Sequence, residues 1–206
     1  SSKYFKKGVA LMPVCFGISF TKTPMNQARS LVHVYTDGSV AISTGAVEMG
    51  QGVNTKIAQV AADVFGLPLE DIKINTTNTL RIANTSPTAA SAAADLNGKA
   101  TQVACETIRD RLLEIAKDLV EAESIESLSL ENGFVYREGE RTSLDWKTLV
   151  MDAHVERVNL SEHSHYATPG INFDWSTAKG HPFSYHVYGT AVVGVTVDCL
   201  RGRYEV

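Results

Sequence analysis

The chain has 206 residues, of which 44% are hydrophobic and 20% charged, and its formal net charge is -4 at pH 7. This balance is typical of a globular protein and excludes extended disorder. Because acidic and basic residues are interleaved, the sequence lacks the basic surface expected of a protein that binds nucleic acid or an anionic membrane.

The first third of the chain predicts strands followed by a helix. Residues 9–13 and 18–21 predict short strands, and residues 31–35 and 40–43 predict a hairpin because Asp37-Gly38 lies between them. The hairpin leads into the loop VEMGQG at residues 47–52. Apolar residues then recur at helical spacing up to Gly66: Ile57, Val60, Ala61, Val64 and Phe65.

A second, longer helix is predicted beyond a candidate strand at residues 72–76. It follows the loop NTSPTAAS at residues 84–91 and extends to about Glu121. Gly98 within it indicates close packing, at a cost of about 1 kcal/mol relative to alanine. The predicted buried stripe comprises Ala104, Ile108, Leu112, Ile115 and Leu119.

The remainder predicts a hairpin at residues 128–136, a short helix at 144–154 capped by Thr142-Ser143, and a buried strand at 187–197. Residues 161–185 have no periodicity, which is typical of an ordered functional loop or interface segment. The predicted fold is mixed α/β (α+β), with antiparallel hairpins packed on two main helices. We divide the chain into a cofactor-loop half, 1–125, and a half with hairpin, short helix and aromatic loop, 126–206.

Both small-residue loops immediately precede helices. The first N–H groups of a helix lack intrahelical partners, and the helix dipole is positive there, so two such starts could grip one polyanionic ligand. Glu48 lies beside the first loop, where a carboxylate is favourable for dipole reasons alone, and we do not assign it as a general base.

Cysteines and histidines give no metal pattern. We expect Cys15, Cys105 and Cys199 to be small buried residues in a reducing compartment, because they form no CxxC pair. Four histidines fit neither HExxH nor zinc-finger spacing, so we predict no metal ligands among the side chains: His163, His165, His181 and His186.

Four segments together resemble the molybdenum-binding part of the xanthine dehydrogenase and aldehyde oxidase family: VEMGQG with its hairpin, NTSPTAASAAADLNG, YATPGINFDWSTAKGHPFSYHVYG and VDCLRGRYEV. The likeness covers nearly the whole chain and is nearest to xanthine dehydrogenases. It implies a hydroxylase whose molybdopterin cofactor carries oxo, sulfido and hydroxide ligands. In that family a glutamate removes the hydroxide proton, the oxygen attacks a purine carbon, and hydride passes to the sulfido ligand.

The resemblance also implies roles for individual residues. Gln51 matches a glutamine that hydrogen-bonds the cofactor near the metal, and Gly50 and Gly52 let the loop approach. The second loop matches the family's substrate-side alanines and cofactor-facing serine at Thr88, Ala89, Ala90 and Ser91. Several relatives have a hydroxyl in the next three positions, where this chain has Ala92, Ala93 and Ala94.

The family's catalytic glutamate-proline motif is not in this sequence, so we assign no catalytic residue here. We therefore interpret the chain as a cytoplasmic fragment of a molybdenum-binding subunit, inactive and without cofactor when isolated. The family implies partners: the remaining segments of that subunit, 2Fe-2S and FAD domains or subunits, a purine such as hypoxanthine or xanthine, and a second copy in a homo-oligomer. Three alternatives stay open: an aldehyde oxidase-type hydroxylase, a non-enzymatic phosphate- or nucleotide-binding module, and an interaction domain.

Overall fold

A computed structural model describes residues 3–75 and 77–206 of the chain. Their contacts divide the chain into a larger unit, Ser19–Pro182, and a smaller unit that joins the stretch ending at Ile18 to Phe183–Val206. The helices are α1 (Val53–Phe65), α2 (Ala93–Leu119) and α3 (Trp146–Val155), with 3-10 turns at Thr23–Met25, Leu69–Asp71 and Ile125–Ser127. The strands are β1 (Phe5–Ile18), β2 (Gln27–Val34), β3 (Val40–Thr44), β4 (Ile72–Ile74), β5 (Leu128–Glu131), β6 (Phe134–Arg137), β7 (Glu140–Asp145), β8 (Ser161–Ala167), β9 (Asn172–Asp174), β10 (Lys179–His181), β11 (Tyr185–Asp198) and β12 (Arg203–Glu205).

The larger unit is built on a four-stranded sheet with the order β4-β3-β2-β8. The predicted hairpin is confirmed, because β2 pairs antiparallel with β3 and Val34 lies opposite Val40. Strand β4 is parallel to β3, so the chain must cross over between them, and α1 makes that crossover. Fully buried side chains from the sheet and the helices form one core, including Val32, Ile42, Ile57, Phe65, Ile108 and Leu112. The predicted mixed α/β fold is confirmed.

The candidate strand at residues 72–76 is present as β4, which ends at Ile74. Its last predicted residue, Thr76, lies outside the described residues.

The two main helices begin and end close to their predicted positions. Gly66 closes α1 in the left-handed conformation, with φ of 62°. A Cβ built at Gly98 in α2 would lie 3.7 Å from Val60 Cγ2 in α1, which is ordinary van der Waals contact rather than a clash. The predicted stripe on α2 is wrong at its end, because Leu119 in the last turn is 49% exposed.

A second sheet has the order β5-β6-β7, and α3 follows directly after its last strand, β7. The predicted cap at Thr142-Ser143 is wrong, because both residues lie in β7 and the helix begins three residues later. Asp145 is the cap instead, and its carboxylate accepts a hydrogen bond from the N–H of Thr148 at 2.9 Å. This bond holds the pKa of Asp145 below its ordinary value.

Residues 161–185 are not one loop, contrary to the prediction. Strand β8 pairs antiparallel with β2 as the edge strand of the main sheet, and β9 and β10 form a small hairpin. The strand was missed because its side chains are largely polar, so no apolar alternation marks it. Its one buried residue is Ser164, whose hydroxyl donates to the Ala100 carbonyl of α2 at 2.5 Å.

The smaller unit is a single antiparallel sheet in which β1 pairs with β11 along its whole length and β12 adds a short third strand. Strand β1 contains the first predicted strand, but the second, at residues 18–21, is wrong, since β1 ends at Ile18. Pro13 is tolerated because β1 lies at the edge of the sheet. The strand predicted at residues 187–197 is present in β11, but the prediction that it is buried is wrong, because most of its residues are exposed; the described elements of the smaller unit are the three strands of this one sheet.

Cys105 is buried, as predicted, and burial raises the pKa of its thiol to about 12. The same prediction is wrong for Cys15 and Cys199, which are exposed. Both belong to the smaller unit. Within the described residues, no helix combines the length and apolarity needed to cross a membrane.

Candidate cofactor-binding cleft

The first loop is organised by the carboxylate of Glu48. Its Oε1 accepts hydrogen bonds from the N–H groups of Gly50 and Gly52, both at 2.9 Å, and its Oε2 accepts from the N–H of Asn54 at 3.0 Å. The Asn54 bond, followed by the Gly52 bond, lowers the pKa of Glu48 from its ordinary value. The start of α1 is therefore neutralised by the chain itself. This corrects the expectation that both helix starts are free to grip an anion.

The side chain of Gln51 is folded against its own loop. Its Oε1 accepts from the Met49 N–H at 2.6 Å, and its Nε2 donates to the Val47 carbonyl at 2.9 Å. An amide nitrogen has two N–H groups, so one donor remains for a ligand. Gly50 and Gly52 have φ of 98° and 78°, and a Cβ built at either would meet nothing within 4 Å, so open space adjoins the loop.

The second loop contains two consecutive residues in an unusual conformation. Ala90 and Ser91 both have φ of 53°, the left-handed region that non-glycine residues rarely adopt. Such strain persists only where the surroundings enforce it, and it concentrates at functional sites. Helix α2 then begins at Ala93 without a side-chain cap. Its first turn contains one acidic residue, Asp95.

The two loops meet at one cleft of about 330 Å³. A direct hydrogen bond of 2.9 Å joins them, from the Val47 N–H to Thr88 Oγ1. The cleft is lined by Met49, Gln51, Val53, Lys56, Thr88, Ala89, Ser91, Ala93 and Ala94. Of the seven predicted site residues, the structure thus brings together Gln51, Thr88, Ala89 and Ser91. Among the described residues, the lining does not include Gly50, Gly52 or Ala90.

Lys56 is a cleft residue that sequence analysis missed. It lies in the first turn of α1, four residues after Gly52, and in the described part of the chain its ammonium has neither a hydrogen bond nor an ion pair. An unpaired cation facing an uncapped helix start favours an anionic ligand. Spacing could have indicated Lys56 from the sequence. Residues four apart lie on the same side of a helix, and Lys56 comes four residues after Gly52 at the end of the first loop.

Ala93 and Ala94 also line the cleft with their methyl groups. They offer a ligand no hydrogen bond from their side chains. Of the three alanines at which the sequence departs from the family pattern, Ala93 and Ala94 thus line the cleft, while Ala92 is buried.

The described residues contain no group of three His, Cys, Asp or Glu side chains arranged to hold a metal ion. The histidines make other contacts: His165 Nε2 lies 3.0 Å from Gln27 Oε1, and the His186 ring packs edge-on against Phe183 with centroids 5.6 Å apart. The cleft instead offers backbone amides, one side-chain amide, hydroxyls and a cation, a donor set suited to an anionic organic ligand.

A family model described as a molybdopterin cofactor-binding domain matches residues 1–206. The chain belongs to this family. It is 42% identical to xanthine dehydrogenase of Oryza sativa subsp. japonica over 205 residues, 100% of this chain and 13% of that protein. It is also 42% identical to xanthine dehydrogenase/oxidase of Mus musculus over 200 residues, 97% of this chain and 13% of that protein. This molybdopterin-binding domain therefore spans about an eighth of the length of these relatives.

Solved structures share the fold at lower identity. Quinoline 2-oxidoreductase from Pseudomonas putida 86 matches with a TM-score of 0.71 and 21% identity, covering 98% of this chain and 26% of that one. Aldehyde oxidoreductase from Desulfovibrio gigas matches with a TM-score of 0.71 and 21% identity, covering 99% of this chain and 20% of that one. These likenesses support the fold assignment alone.

Proposed function

We propose that this domain forms part of the molybdenum-binding subunit of a xanthine dehydrogenase-like hydroxylase, and that its cleft supplies one wall of the cofactor site. The observation that carries the proposal is that one cleft, beside Lys56, is lined by four of the predicted site residues: Gln51, Thr88, Ala89 and Ser91. When bound in the parent enzyme, the cofactor supplies the molybdenum centre at which an oxygen atom is added to the substrate. This chain contributes binding and orientation, and no general base.

The residues present fit an anionic pterin cofactor. Gly50 and Gly52 leave open space for its approach, and Gln51 retains one free amide N–H directed by the bonds that hold its side chain. Lys56, Ser91 and the uncapped start of α2 suit the phosphate of the cofactor better than the start of α1, where Glu48 already takes the N–H groups. We therefore place the anionic end of the cofactor at α2, with Thr88 and Ala90 supporting the loop around it.

We assign Ala89 to the substrate side of the cleft and propose a purine, hypoxanthine or xanthine, as the substrate. The support is the higher identity to xanthine dehydrogenases than to the solved quinoline and aldehyde oxidoreductases. An aldehyde is the second candidate. The test is turnover by the intact parent enzyme of hypoxanthine and of an aromatic aldehyde at matched concentrations. A larger kcat/KM for hypoxanthine supports the proposal, and a larger kcat/KM for the aldehyde contradicts it.

The parent protein is proposed to supply the partners: further segments of the molybdenum subunit, the 2Fe-2S and FAD domains or subunits, and a second copy of the enzyme, in the cytoplasm. Strands β1 and β11 support the first of these. Their large apolar side chains are exposed, for instance Val9 at 77%, Leu11 at 65% and Val192 at 67%. A contiguous apolar surface of this kind normally lies in an interface. We propose that it is covered by other segments of the parent polypeptide.

Cys15 in β1 provides a probe of this burial. In the 206-residue chain its thiol is exposed, so a maleimide should label it readily, while Cys105 should react only after unfolding. In the intact parent we expect labelling of Cys15 to slow by at least about tenfold, because covered residues react only through rare opening. Equal labelling rates in both proteins would contradict the assignment of this surface to an intramolecular interface.

We further expect the isolated chain to retain no molybdenum after purification. Elemental analysis that found near-stoichiometric molybdenum would overturn this expectation.

A further inference from the structure

Three threonines contact the backbone of residues 44–47, which leads into the first loop: Thr77 lies in the segment after β4, and Thr85 and Thr88 lie in the second loop. Thr77 Oγ1 donates to the Ala46 carbonyl at 2.7 Å and lies 3.2 Å from the Thr44 carbonyl. Thr88 Oγ1 accepts from the Val47 N–H at 2.9 Å. Thr85 packs directly over Gly45. We refer to Thr77, Thr85 and Thr88 as the threonine clasp.

Gly45 is required by packing, not by conformation. It is absent from the described glycines with positive φ, so another residue could adopt its backbone angles. A Cβ built there would, however, overlap the Cβ, Cγ2 and Oγ1 atoms of Thr85. A glycine without a conformational need marks a point where another part of the chain approaches closely. The contact between Gly45 and Thr85 thus fixes how near the two loops lie.

The hydroxyl of Thr77 satisfies a buried acceptor. Ala46 is only 1% exposed, so its carbonyl has little access to water, and an unpaired buried carbonyl is costly. Neither Thr77 nor Thr85 is among the residues lining the cleft. Their contacts act on the positions of Val47 and Thr88, the residues where the two loops join.

We propose that three residues, Thr77, Thr85 and Gly45, are positioning residues that set the separation of the two cofactor-binding loops. This inference rests on the proposed function. Thr88 belongs both to the lining of the cleft and to the threonine clasp. The clasp determines whether Gln51 and Ser91 reach the same ligand, although Thr77 and Thr85 do not touch it.

The test uses the intact parent enzyme and a compensating pair of substitutions. Gly45→Ala should displace Thr85 and lower the molybdenum and pterin content per protein by at least about fivefold, within the range of coupling between contacting residues. Thr85→Gly in the same protein removes the obstructing atoms and should restore most of the content. At Thr77, the isosteric Thr77→Val should lower cofactor content, while Thr77→Ser, which keeps the donor, should retain it.

Rescue distinguishes positioning from general stability. If Gly45→Ala only lowers the melting temperature while molybdenum content stays at the wild-type level, the proposal is wrong. It is also wrong if Thr85→Gly gives no recovery. The Gln51→Ala variant distinguishes failure of the clasp proposal from failure of the proposed function. If Gln51→Ala loses molybdenum while Gly45→Ala keeps the full molybdenum content, only the proposal about the threonine clasp is wrong. Full content in Gln51→Ala would overturn the proposed function itself.

Discussion

The Glu48 carboxylate and the Asn54 N–H lie 3.0 Å apart across the start of α1, so the helix that follows the first loop is capped from within that loop. Two further N–H groups, from Gly50 and Gly52, bind the same carboxylate. The loop therefore has a defined shape before any ligand arrives. The start of α1 therefore already has a carboxylate of the chain bound to its N–H group.

Glu48→Gln should lower the stability of the domain at neutral pH. Hydrogen bonding lowers the pKa of Glu48 in the folded state from its ordinary 4.5, so its stabilisation is complete above that pH and is lost as pH falls through the lowered value. The difference in melting temperature between wild type and variant should therefore be largest near pH 7 and disappear in acid. Glu123→Gln, at an exposed carboxylate, is the control and should show little difference at any pH. A difference between wild type and the Glu48→Gln variant that grew on acidification would contradict this assignment.

Gly98→Ala should stabilise the domain by about 0.5–1 kcal/mol, because alanine is the better helix former and the methyl group would meet Val60 at an ordinary 3.7 Å. Urea denaturation of the chain measures this. Gly98→Leu is the paired variant and should destabilise, since the same space does not hold a larger side chain. Destabilisation by alanine would mean that the helices lie closer than the structure has them.

Ala90→Gly should stabilise the second loop by about 1 kcal/mol, because glycine adopts a φ of 53° without the steric penalty that alanine bears. Ala92→Gly, at a residue with φ of -97°, has no such strain to relieve and should destabilise the start of α2. Urea denaturation of both variants gives the comparison. Equal destabilisation by the two substitutions would show that Ala90 is not strained.

Ala89→Phe should reduce kcat/KM for hypoxanthine in the intact parent by at least about tenfold, a loss of only about 1.4 kcal/mol of transition-state stabilisation. Ala89 lines the cleft and is assigned to its substrate side in the proposed function, so under that proposal a phenyl group there would occupy substrate space while the cofactor contacts remain. Molybdenum content should stay near wild type. The sequence alone treats Ala89 and Ala90 alike, whereas the structure predicts a smaller block of substrate by Ala90→Phe. Normal purine turnover by the Ala89→Phe variant would show that the second loop does not line the substrate side of the cleft.

Local chemistry made parts of this fold predictable. Asp37-Gly38 determines the turn of the β2-β3 hairpin, and the apolar spacing of α1 ending at Gly66 is a strong helix signal. Strand β8 was missed because an edge strand with polar side chains has no apolar alternation. The exposure of β11 was missed because an apolar strand looks the same whether its cover comes from its own domain or from a partner.

The candidate site was also predictable only in part. The small residues of the two loops, and the position of each loop before a helix, indicated the loops from the sequence. Their contacts were not, because the bonds from Thr77 to Ala46 and from Val47 to Thr88 join residues more than thirty positions apart. Lys56 was missed because a lone lysine on an amphipathic helix resembles any solvated residue until the second loop is placed opposite it.

The central claim is that the cleft between the two loops holds the molybdenum cofactor, and the molybdenum-to-protein ratio of the intact parent enzyme tests it most directly. Gln51→Ala and Lys56→Met alter two cleft residues, while Gln59→Ala alters an exposed residue of the same helix outside the cleft lining. We predict that each cleft variant lowers the ratio by at least about fivefold and that the control keeps the wild-type ratio. A double variant, Gln51→Ala with Lys56→Met, that retained full molybdenum and wild-type turnover would contradict the account.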